Sequence, residues 1–96
     1  MTDKTIVIFR ADEDGDAIAF FPELPWNLAG DMTCYQHIGQ HGSASLEYYR
    51  ERTFPLRLIE KKVQLRAELE SLGYVLEERN RLSPKMNETR WREVAA

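Results

Sequence analysis

Cys34, His37 and His41 stand in the spacing C-x2-H-x3-H, and all three side-chain types ligate zinc. The set is one short of a structural site, which needs a fourth protein ligand, and a catalytic site needs all three to converge. In a strand, Cys34 and His37 point to opposite faces. In a helix, the spacing of three and four residues brings all three to one face. Asp12, Asp14 and Asp16 alternate like the opening of a calcium loop, but Gly15 comes fourth rather than sixth and no glutamate closes the loop, so a solvated turn is expected. Ser43 lacks a G-x-S-x-G elbow, no glycine-rich phosphate loop precedes a helix, and Glu23 and Glu47 have no spacing that makes them a pair. No catalytic residue, cofactor or metal is therefore expected; a small metal-binding protein or hydrolase using the Cys34, His37 and His41 segment is the enzymatic alternative.

The elements that would position these residues follow from periodicity. Thr5–Arg10 and Asp16–Phe21 are β-branched or aromatic runs flanking Asp12-Glu13-Asp14-Gly15, which predicts a hairpin. The first strand is apolar on both faces, Ile6 and Ile8 on one and Val7 and Phe9 on the other, so cover is expected on both sides. Pro22 and Pro25 are expected to end the ladder. Thr33–Ile38 predicts a third strand, broken by Gly39 and Gly42; Ser43 predicts the N-cap of a helix reaching Arg52. A second helix is expected from Thr53 to Leu72, stopping at Gly73, with a returning strand at Tyr74–Glu78. The fold class is then α+β: an antiparallel sheet of three or four strands in the order β-β-β-α-α-β with two helices packed on one face. Residues 1–79 form the compact domain. Residues 80–96 are a polar extension in which Ser83-Pro84 starts a short helix and Trp91 folds back over an apolar edge.

The second helix carries apolar residues on two sides. One stripe is Leu56, Ile59, Val63 and Ala67, and the other is Leu58, Leu65, Leu69 and Leu72. One sheet cannot cover both. The expected arrangement is that one stripe meets the sheet and the other meets the first helix or the C-terminal segment, with Ile6, Ile8, Phe9, Ile18, Phe20, Ile59, Val63 and Leu69 in the core. The alternative is that the leucine stripe is left exposed as the contact in a homodimer or with another protein. On that reading Leu65→Glu separates subunits and leaves each one folded. Leu24 and Trp26 after the hairpin, and Asp12 and Asp14 on its tip, are the other candidate contacts.

Composition narrows the partners. The 96 residues carry a net charge of −3, with −6 in residues 1–48 and +3 in residues 49–96. An overall pI near 5.4 disfavours nucleic acid as the partner. No apolar run approaches a membrane span, and the amino-terminal residues lack the marks of a signal peptide. A lone cysteine suits a reducing compartment, so a cytoplasmic location is expected.

At Ile6–Arg10, Ala19–Glu23, Tyr35–Gly42 and Glu68–Tyr74 the chain resembles short uncharacterised proteins of bacteria, phages and mobile elements. The hairpin, with Asp14-Gly15 and Phe21-Pro22-Glu23-Leu24-Pro25, is similar to the start of HicB-type antitoxins, a likeness that ends at Trp26-Asn27. The resemblance implies a compact fold and a bacterial or phage setting. The expected function is that of a non-catalytic binding or regulatory protein that works through protein contacts. Its alternative is an inhibitor of a host nucleic-acid-processing defence system that presents the acidic turn to a basic groove.

Overall fold

A computed structural model describes residues 3–36 and 40–96. β1 (Thr5–Ala11) and β2 (Ala17–Pro25) form the expected hairpin, pairing Ile8 with Phe20 and Arg10 with Ile18. β2 does not stop at Pro22. It continues to Pro25 by shifting register against β3 (Met32–Tyr35) between Phe21 and Pro25. A bulge tolerates proline because the residues inside it donate nothing to the ladder.

β4 (His41–Ala44) follows where glycines were expected to break the chain, and Ser45 rather than Ser43 caps α1 (Leu46–Arg52) by accepting from the Tyr48 N–H. A two-residue strand, β5 (Phe54–Pro55), then pairs with Arg10 and Ala11, so α2 begins only at Ile59 and runs to Ser71. Gly73, at φ 105°, turns the chain into β6 (Leu76–Glu78), which runs parallel to β1. α3 (Pro84–Ala95) starts at Ser83, whose hydroxyl accepts from the Met86 N–H. The fold is α+β. Its sheet has more strands than expected, in the order β4-β3-β2-β1-β5 with β6 also on β1, and all pairs but β1–β6 are antiparallel.

The expectation of two helices on one face is corrected. α2 lays Leu65 and Leu69 on Val7, Phe9, Ala19, Phe21 and Tyr35. α1 and α3 bring Tyr49 and Met86 to Ile8, Ile18, Phe20, Met32 and Cys34 on the other face. Alternation along β1 and β2 produces both cores, because each strand is apolar in both registers. Of the expected core, Ile8, Phe9, Ile18, Phe20 and Leu69 are buried and Ile6 is half-buried, whereas Ile59 and Val63 are exposed. No helix among the described residues is long and apolar enough to cross a membrane.

Candidate functional site

The β3–β4 register separates the residues with ligand chemistry. Cys34 lies opposite Gly42 and faces the α1 and α3 core, while His41 lies opposite Tyr35, whose ring belongs to the α2 core. The His41 ring meets Tyr35 edge-on at 4.8 Å between centroids, and its Nε2 lies 2.9 Å from the Tyr74 hydroxyl. Tyr74 in turn stacks on Phe21 at 5.0 Å. Cys34 and His41 therefore do not converge, and His37 lies outside the described residues. Among the described residues no group of three or more His, Cys, Asp or Glu side chains is placed to hold a metal. Burial pushes the Cys34 thiol above its ordinary pKa, opposed by the Gly42 N–H. A thiol so placed carries little thiolate. Iodoacetamide at neutral pH should thus modify Cys34 more slowly in the native protein than in urea, as read by mass spectrometry; equal rates would place the thiol at the surface.

The acidic turn is less free than its four carboxylates suggest. Asp12 Oδ1 accepts from the N–H groups of Asp14 and Asp16, which closes the turn from within. Glu13 pairs with Arg52 at 2.5 Å, and Lys61 reaches both Asp16 at 3.6 Å and the Gly15 carbonyl at 2.9 Å. Two of the tip's four carboxylates, Glu13 and Asp16, thus pair with cations of α1 and α2.

On α2 the leucine stripe divides. Leu65 and Leu69 are buried on the sheet and are closed to any partner, whereas Leu58 and Leu72 are exposed. The uncovered apolar surface lies on the outer side: Ile59 is 69% and Val63 59% exposed, one turn apart, with Leu58 at 60% and Phe54 at 50% just before them in the chain. Lys62 and Arg66 both reach Glu78 on β6, at 2.8 and 3.3 Å, in this rotation of the helix.

No family model, curated protein or solved structure matches this chain.

A second group of exposed apolar residues surrounds the β2–β3 turn. Trp26 is half-exposed, Leu24 is at the border of exposure, and Leu28 projects almost fully into solvent. The turn is closed by Trp26 N–H to Asp31 O at 2.7 Å and by paired bonds between the Asn27 side chain and Asp31. Trp91 of α3 lies over Gly30, where any β-carbon would meet its indole at 2.5 Å. Sequence reasoning put Trp91 on an apolar edge and Trp26 among the contacts, but missed Leu28, Phe54 and the outer face of α2. An apolar residue inside a polar turn was the available signal for Leu28.

Proposed function

We propose that this is a non-catalytic binding or regulatory protein that acts through protein–protein contacts, with the outer face of α2 as a contact surface. The observation that carries the reading is the exposure of Ile59 and Val63 together. Two β-branched apolar side chains one helical turn apart, on a helix whose opposite side already fills its core, gain by being covered by a partner. Full burial of such side chains contributes about 1.5–3 kcal/mol each before association costs. A bacterial, phage or mobile-element setting and a cytoplasmic location belong to the same reading. The sequence resemblance supports the first, and the single cysteine supports the second. The defence-inhibitor alternative is less favoured because Arg52 and Lys61 pair with two of the turn's four carboxylates.

The paired variant Ile59→Glu with Val63→Glu should keep the wild-type circular dichroism and melting temperature, since surface substitutions usually change stability by less than about 0.5 kcal/mol. Quantitative affinity capture from the native host should show a protein retained by the wild type and lost by the variant. The same proteins in the same amounts on both would remove α2 as the contact surface.

A further inference from the structure

β4 ends the sheet, and among the described residues it pairs only with β3. The Gln36 N–H donates to the Gln40 carbonyl at 3.2 Å, which makes that a hydrogen-bonded pair of the ladder. Such pairs alternate in an antiparallel ladder, so Cys34 with Gly42 and Met32 with Ala44 are bonded pairs as well. His41 and Ser43 must then turn their N–H and C=O groups to the outer edge. Natural edges discourage pairing with lysine, proline, inward charges or bulges. Residues 40–45, Gln-His-Gly-Ser-Ala-Ser, contain no lysine, no proline and no carboxylate, and the β3–β4 register is unbroken. The opposite end of the sheet is guarded: Pro55 sits in β5, and Glu77 and Glu78 in β6.

We propose that β4 pairs antiparallel with β4 of a second copy, about a two-fold axis through Gly42, joining the two sheets into one. The partner is a second copy because the edge is its own complement. With Gly42 opposite Gly42, the N–H and C=O of His41 face the C=O and N–H of Ser43 on the other chain, and the reverse holds across the axis. The Gly42 pair falls at the non-bonded position, where α-carbons come closest, about 4.5 Å apart, and side chains crowd most. Charge favours the same choice. The chain carries −3 and repels its copy over most approaches, whereas segment 40–45 holds no lysine, arginine or carboxylate. The pairing edge shares no residue with the outer face of α2, so the pairing stands or falls independently of the partner proposed there.

Ser43→Pro tests it, because proline removes an N–H that points outward and breaks no bond to β3. Sedimentation equilibrium from micromolar to millimolar concentration should show the wild type passing from monomer to dimer, and the variant, folded by circular dichroism, remaining monomeric throughout. In the wild type, amide exchange at His41 and Ser43 should slow as concentration rises, while exchange at Ile59 and Val63 stays constant. That measurement uses no variant and decides the matter should Ser43→Pro fold poorly. A wild type that is monomeric at millimolar concentration overturns the pairing, as does a Ser43→Pro protein that dimerises like the wild type, or a dimer whose His41 and Ser43 amides gain no protection.

Discussion

Leu65→Glu should unfold the protein rather than separate subunits. Leu65 is 4% exposed and packs with Leu69 against Val7, Phe9 and Phe21, so the substitution removes a core side chain and buries a carboxylate among apolar groups. Truncating such a leucine to alanine costs about 2–5 kcal/mol. An unpaired buried charge adds several more unless it is taken up as the neutral acid. The sum is comparable to the about 5–15 kcal/mol that holds a domain of this size together. Urea titration followed by circular dichroism should find Leu65→Glu unfolded or nearly so without denaturant, and Leu69→Ala folded with a loss of about 2–5 kcal/mol. A Leu65→Glu protein within about 1 kcal/mol of the wild type would mean that α2 presents its other side to the sheet.

The error this corrects shows what sequence can and cannot resolve. Periodicity found both apolar stripes of α2, but Leu65, Leu69, Ile59 and Val63 are equally apolar, and only the sheet decides which pair it touches. In the observed rotation Lys62 and Arg66 also reach Glu78 on β6, a contact with a parallel strand whose direction no local pattern reveals. The hairpin was legible because β-branched runs and Asp14-Gly15 agree on one local answer. So was the start of α3 at Ser83-Pro84. The two-sided sheet was half legible: Ile6, Val7, Ile8 and Phe9 announced cover on both faces, which two helices on a single face could not supply.

β4 was hidden for the opposite reason. His-Gly-Ser-Ala has little strand propensity of its own and is a strand because β3 offers it bonding groups. For the same reason the Cys34 and His41 geometry could not be read in advance: whether they converge depends on the β3–β4 register, which places one on each face of the sheet. The proline bulge in β2 was unreadable until the residue that satisfies it, Arg90, was known, and that residue lies in the polar extension beyond the expected domain.

Arg90→Ala should be the most damaging single truncation outside the two apolar cores. In the sequence Arg90 is one of five basic residues in positions 79–96, and a run of that kind usually faces water. Here it is 1% exposed. Its Nε donates to the Gly30 carbonyl at 2.8 Å and one terminal nitrogen to the Pro22 carbonyl at 2.7 Å. Both acceptors lie where regular structure fails, Pro22 where β2 loses register with β3 and Gly30 at a φ of 81° in the next turn. Burial lowers the pKa of the guanidinium, with Asp31 acting against it, and the charge-assisted bonds to the two carbonyls offset the cost of desolvation. Removing it strands two carbonyls, each worth about 1–3 kcal/mol when left unpaired, and opens a void under α3. A total of about 3–5 kcal/mol is expected from urea titration. Arg90→Lys should fall between, since an ammonium point charge lacks the fork that reaches both oxygens. Amide exchange should rise first in α3 and in the Trp26–Asp31 turn, because the guanidinium is what binds them together. A loss below about 1 kcal/mol for Arg90→Ala, with α3 still protected, would show that Met86 and Trp91 alone hold the helix to the sheet.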